Sequence, residues 1–168
     1  MCSTQRRAAA GSLPEKNSRR RRRGIRIIHL HGGHTRPTAE HALALLFSLA
    51  RRIPEVQEQM KRGRWDRSRW IGTELFGKML GIVGLGRIGK TVASYGLALG
   101  MRVIAYDPYV RPTRRHRRGV QLWSDLPRLI RNSDVITIHA ALTPETRGMI
   151  GSRELRHVKA GCLLINAA

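Results

Sequence analysis

Short uncharged runs alternate with longer amphipathic stretches along most of this chain. Met79-Leu80-Gly81-Ile82-Val83 carries no charge, as a strand buried on both faces requires. The apolar positions Ile88, Val92, Tyr95, Leu97 and Leu99, with small Ala93, Gly96 and Ala98 between them, predict a helix packed on a sheet. Gly100 is placed to close that helix in a left-handed conformation. Met101 to Tyr106 rebuilds a buried strand that ends on Asp107. Beyond it, Val120, Leu122 and Trp123 return to apolar character, and Ser124 is placed to cap a short helix carrying Leu126, Leu129 and Ile130. Asp134 to His139 reads as the next parallel strand. Thr143-Pro144 and Ser152 are expected to open two further short helices, with Gly161 closing the second. Cys162 to Asn166 is a last buried strand.

Upstream, a helix begins near Thr35 to Thr38, either of which can cap it, with Pro37 in the first turn. Ala39, Ala42, Leu43, Leu46, Ala50 and Ile53 follow helical spacing. Leu45, Phe47 and Leu49 widen the apolar face, which predicts burial on two sides, against a second domain or in a homo-oligomer contact through the 38–53 helix. Pro54 is expected to interrupt this helix, and the pattern resumes weakly through Val56 and Met60. From Lys61 to Lys78 the chain is polar, with Trp65, Trp70 and Phe76 expected to pack as anchors on the domain surface. Residues 1–32 show no period and read as a disordered basic arm.

The turn after the first strand, Gly84-Leu85-Gly86-Arg87-Ile88-Gly89, has the spacing GxGxxG. Its first glycine suits a tight exit from the strand, its second leaves the backbone open to a pyrophosphate, and its third admits close helix packing. Backbone N–H groups near Arg87 and Ile88 then face the phosphates at the positive end of the helix dipole. Asp107 follows Gly89 at close to the spacing of about 20 residues expected of the acid that holds the ribose hydroxyls. A carboxylate there repels a 2′-phosphate, so the expected cofactor is NAD rather than NADP. Strands alternating with helical connections make residues 33–168 an α/β domain, a Rossmann-type doubly wound parallel sheet. Ligands of such sheets lie at the carboxyl ends of the strands. That rule gathers Gly84 to Gly89, Asp107, His139, Ala140, Ala141 and Ala167 around one crevice.

Length and composition narrow the picture further. At 168 residues the chain makes one ordinary domain, and 41% hydrophobic against 5% aromatic residues makes its core aliphatic. No apolar run reaches the roughly 18 residues that suggest a membrane span, and the basic N-terminus lacks an apolar signal segment. Cys2 and Cys162 are isolated, which fits a reducing compartment, with the cytoplasm as the expected location. His29, His31 and His34 lie close together but have no cysteine or carboxylate beside them, so no metal site is assigned. The net charge of +21 raises nucleic acid as a partner. Its two densest runs are Arg19 to Arg23 and Arg114 to Arg118, where only His116 interrupts the arginines. Neither cluster is interleaved with aromatics that stack bases, so a solvated tail and a basic loop are favoured. A non-catalytic dinucleotide- or nucleic-acid-binding module, using the arginine-rich arm, is the alternative reading.

Several segments together resemble the D-2-hydroxyacid dehydrogenases, most closely those acting on 3-phosphoglycerate. They are Thr38 to Ala42, Lys61 to Trp65, Thr73 to Lys78, the fingerprint itself, Tyr106-Asp107-Pro108-Tyr109 and Asp134 to Ala168. The resemblance covers about residues 33 to 168. It implies pyrophosphate on the Arg87 and Ile88 amides, adenine ribose on Asp107, and His139 and Ala140 along the adenine and ribose edge. Thr143 to Thr146 then lie beside the cofactor, and Ala167 near the nicotinamide. Ala141 stands where the family commonly has proline, which removes a fixed φ from that turn. The implied reaction is reversible oxidation of a small 2-hydroxyacid's hydroxyl, with hydride passing to NAD. The family's substrate-anchoring arginine, acid and catalytic histidine fall beyond Ala168, and the arginine-rich arm stands in place of its substrate domain. This stretch is therefore expected to bind cofactor without turnover, and no catalytic residue is assigned in it. His139 has no carboxylate partner in view, which suits a lining role rather than that of a base. A sheet incomplete at its C-terminus is expected to expose apolar surface on its last strand, giving marginal stability or association.

Overall fold

The computed structural model describes residues 34–66, 68–111 and 119–168. In chain order these form α1 (Thr35–Ala50), α2 (Ile53–Lys61), a 3-10 turn (Ser68–Trp70), β1 (Met79–Val83), α3 (Arg87–Ala98) and β2 (Arg102–Tyr106). There follow β3 (Val120–Trp123), α4 (Leu126–Asn132), β4 (Val135–Ile138), α5 (Ser152–Leu155) and β5 (Leu163–Asn166). The basic arm with its His29 and His31, and the cluster Arg114 to Arg118, lie outside the described residues.

All five strands are parallel, in the order β3-β2-β1-β4-β5. The chain steps outward from β1 to β2 and β3, then returns to the other flank of β1 for β4 and β5. The strand order therefore reverses at β1, between β2 and β4. Side chains alternate across the sheet as strand geometry demands. Leu80, Ile82, Val103, Ala105 and Val135 bury against one face, together with Ala39, Leu46, Val92 and Ala93 of α1 and α3. Val83, Ile104 and Ile136 bury on the other face, against Leu129 and Ile130 of α4. This is the doubly wound sheet predicted from the alternating pattern.

Two glycines bring helices close to β1. A methyl group at Gly96 would lie 2.5 Å from Leu80 Cδ2, and one at Gly81 would lie 2.8 Å from Leu129 Cδ2. At the opposite end of β1 from the glycine turn, Asp134 ties three strands together. Its carboxylate accepts the Met79 N–H at 2.7 Å and the Lys159 ammonium at 2.8 Å. Its carbonyl accepts Leu163 N–H at 3.1 Å. Burial alone would raise the Asp134 pKa, but these two donors outweigh it and hold the group below its ordinary value.

Several boundaries differ from the sequence reading. The first helix ends at Ala50, not at Pro54, because Arg52 takes a left-handed conformation at φ 52°. Pro54 instead sits in the first turn of α2, where its missing N–H is harmless. No threonine caps α1. His34 precedes it, and the Thr38 hydroxyl donates to His34 O at 2.7 Å. Asp125, not Ser124, caps α4 by accepting Arg128 N–H at 3.1 Å. Val120 to Trp123 is a full strand on β2. Residues 143–147 form a turn rather than a helix, while Ser152 does open one, which ends at Leu155, well before Gly161. Of the three aromatics, Trp70 is half-buried under the Arg52 guanidinium at 4.7 Å, but Trp65 and Phe76 are mostly exposed.

Candidate functional site

The glycine turn leaves the carboxyl end of β1 at the point where strand order reverses, which is where open α/β sheets bind ligands. Gly84 has φ 95°, and a methyl group there would come within 2.7 to 2.9 Å of backbone atoms of His139 and Ala140. Only glycine fits this turn, and its closeness to the end of β4 brings the two flanks together. A methyl on Gly89 would strike the Gly84 carbonyl, so that glycine sets the approach of α3 to the turn. Gly86 is different. It has φ −72°, and a methyl there would meet no atom of the described residues within 4 Å beyond its chain neighbours. Its side-chain position opens onto free space at the start of α3.

Helix α3 has no side-chain cap, and its first ladder bond runs from Lys90 N–H to Gly86 O at 3.0 Å. The N–H groups of Arg87 and Ile88 therefore have no intrahelical partner and point into that space. Asp107 stands across the turn, half-buried at the end of β2. Its Oδ2 accepts Leu85 N–H at 2.8 Å and its Oδ1 accepts Tyr109 N–H at 2.9 Å.

The other flank begins where His139 N–H bonds Val83 O at 2.7 Å. Nε2 of His139 meets Thr137 Oγ1 at 2.9 Å, and Nδ1 is buried with no partner among the described residues. Burial pushes the imidazole pKa below its ordinary value, so the ring is neutral. Ala140 is half-buried and Ala141 exposed. The Thr146 hydroxyl donates to Ala141 O at 2.6 Å and accepts Thr143 N–H at 2.8 Å. Thr146 thus braces the turn that lacks a proline at Ala141. Ala167 follows β5 on the same edge of the sheet, one strand beyond β4, and is half-buried against the core.

Gly84 to Gly89, Asp107 and His139 to Ala141 are thus brought together, with Thr146 behind them and Ala167 one strand away. Three features fit a dinucleotide: open space beside uncapped helix N–H groups, a carboxylate with spare acceptor capacity, and an unsatisfied buried ring nitrogen. The Tyr109 hydroxyl donates to the Glu145 carboxylate across the turn, a pairing that no local sequence pattern signals because 36 residues separate the two. Among the described residues no helix is long and apolar enough to cross a membrane.

Comparison with known proteins agrees with this geometry. The family described as D-isomer specific 2-hydroxyacid dehydrogenase, NAD binding domain, matches residues 43–168. The chain is 45% identical over 146 residues to D-3-phosphoglycerate dehydrogenase of Archaeoglobus fulgidus, covering 87% of this chain and 28% of that one. It is 39% identical over 145 residues to the Bacillus subtilis enzyme of the same name, covering 86% and 27%. The chain therefore spans little more than a quarter of these relatives' length. Among solved structures, the TT0316 protein of Thermus thermophilus superposes with a TM-score of 0.80 at 35% identity, over 94% of this chain and 50% of that one. D-lactate dehydrogenase of Aquifex aeolicus, complexed with NAD and lactic acid, gives a TM-score of 0.78 at 34% identity, over 89% and 45%. These matches favour the cofactor reading over the nucleic-acid one. The chain belongs to the family of NAD-binding domains of D-isomer specific 2-hydroxyacid dehydrogenases.

Proposed function

We propose that residues 33–168 hold NAD in the crevice at the end of β1 and serve as the cofactor half of a D-2-hydroxyacid oxidoreductase. The observation that carries this reading is the open space at Gly86, faced by the Arg87 and Ile88 amides and bounded by Asp107. In the reading, those amides receive the pyrophosphate and Asp107 receives the adenosine ribose. His139, Ala140, Ala141 and Thr146 form the opposite wall, and Ala167 lies toward the nicotinamide. NAD supplies the hydride acceptor for oxidation of the substrate's CH–OH group to a ketone. The 3-phosphoglycerate class of substrate is supported by the names of the relatives at 39–45% identity.

Binding of NADH and NADPH, followed by their fluorescence on mixing with the 168-residue chain, tests this. The reading predicts saturable NADH binding with NADPH at least about tenfold weaker, since the 2′-phosphate would face the Asp107 carboxylate. Equal affinity for both would contradict the role given to Asp107.

We also infer a homo-oligomer through the 38–53 segment. Leu49 and Ile53 are 49% and 48% exposed there, and Met60 extends the apolar surface at 54%. Light scattering of the wild type and Leu49→Glu tests this, with the variant expected to run as a monomer. Cys162 is a free thiol, which supports a reducing compartment, and the cytoplasm is the proposed location.

A further inference from the structure

The Tyr109–Glu145 hydrogen bond runs between the two walls of the crevice. β1 lies between β2 and β4 in the sheet, and the glycine turn rises from its end. Tyr109 follows β2, two residues past Asp107, and Glu145 follows β4, in the turn braced by Thr143 and Thr146. A bond between them therefore joins the segments that follow the two strands flanking the glycine turn. Among the described residues, no other hydrogen bond links 107–111 to 139–147.

Both ends are anchored. The Tyr109 N–H is held by Asp107 Oδ1 at 2.9 Å, and Thr146 N–H, next to Glu145, by Thr143 Oγ1 at 3.2 Å. The Tyr109 residue is 76% exposed, so it is not a core side chain that happens to find a polar partner. Its hydroxyl stays protonated, because the hydrogen bond to Glu145 and the charge of that carboxylate push its pKa above the ordinary tyrosine value.

We propose that Tyr109 and Glu145 form a strap across the mouth of the crevice, which opens each time a dinucleotide enters or leaves and so limits cofactor exchange. The proposal rests on the reading of this crevice as the NAD site. A bond that closes both before entry and behind the ligand adds to the barrier in both directions and contributes little to the equilibrium.

Stopped-flow fluorescence of NADH binding and release tests it in four proteins: the wild type, Tyr109→Phe, Glu145→Ala and the double variant. Each single variant should raise both the association and the dissociation rate constant by roughly fivefold. The dissociation constant of Tyr109→Phe should stay within about twofold, and the exchange rates of the double variant should match the singles, because either change removes the same bond. Unchanged rates would overturn the strap. So would faster release with unaltered association, which would make Tyr109 a contact of the bound cofactor, and so would additive effects in the double variant. Failure of the wild type to bind NADH would overturn the reading of the crevice, and the strap with it. Normal binding with unaltered rates would overturn the strap alone.

Discussion

Asp107 Oδ2 accepts the backbone N–H of Leu85 at 2.8 Å, so the acid at the end of β2 holds the glycine turn at the end of β1. A carboxylate offers about four acceptor positions, and Leu85 and Tyr109 use one each. About two acceptor positions remain for the ribose hydroxyls that the proposed reading assigns to Asp107. Asp107→Ala should therefore weaken NAD binding by roughly tenfold or more, as expected on losing hydrogen bonds to a charged group. It should not convert the domain to NADP, because the turn loses its tether along with the charge. Calorimetry with both cofactors checks this, and tight NADP binding by the variant would contradict it.

Gly84→Ala should destabilise the fold by about 2–4 kcal/mol. The new methyl faces strain at φ 95° and backbone atoms of His139 and Ala140 that cannot step aside. Urea unfolding of the variant measures the loss, and a change under about 0.5 kcal/mol would show that the turn relaxes freely.

How much of this was legible in the sequence depends on how local each cause is. The β1–α3–β2 unit was readable because an uncharged run, a glycine spacing and a closing glycine each act within a few residues. The left-handed Gly100 at φ 73° lies where the helix pattern stops. The break at Arg52 was not readable. A left-handed arginine is sterically costly, and here its guanidinium stacks on Trp70, 18 residues on, and lies 3.9 Å from Glu55. Strand β3 was blurred because it is an edge strand with no fully buried residue, and its identity comes from pairing with β2. The residues of the crevice could be named one by one. That Asp107 holds Leu85, and that Tyr109 reaches Glu145, depends on strands meeting in space.

Asp134 contributes stability that depends on pH. Its pKa is lowered in the fold, so the contribution is complete above the unfolded value of about 3.9 and is lost as pH falls through the lower native value. Asp134→Ala should cost about 1–2 kcal/mol at pH 7, most of it from the Met79 N–H. The Lys159 ammonium is 41% exposed and screened by solvent, and adds little. The gap between wild-type and variant urea midpoints should stay constant above about pH 5 and narrow below about pH 4. A constant gap down to pH 2 would contradict the assignment.

His139 works in the opposite pH range. Burial lowers its pKa, so protons favour the unfolded chain as pH drops below the ordinary value of 6.5. The imidazole should titrate below 6.5 by NMR, and stability should decline from pH 7 toward pH 5. His139→Gln should flatten that decline. A midpoint at or above 6.5 would mean the ring is solvated or paired with an acid.

If the space at Gly86 receives the dinucleotide, a side chain placed there by Gly86→Val should block it. At φ −72° and ψ −156° Gly86 is extended, and a Cβ there meets no atom of the described residues within 4 Å, so the variant is expected to keep the fold, which its melt reads directly. The measurement is calorimetric titration of NAD into both proteins, beside their thermal melts. Melting points should agree within about 2 °C and NAD affinity should fall at least about tenfold, because the side chain would fill the path proposed for the pyrophosphate. Equal NAD affinity in two equally stable proteins would contradict it, and would place the dinucleotide elsewhere or nowhere on this domain.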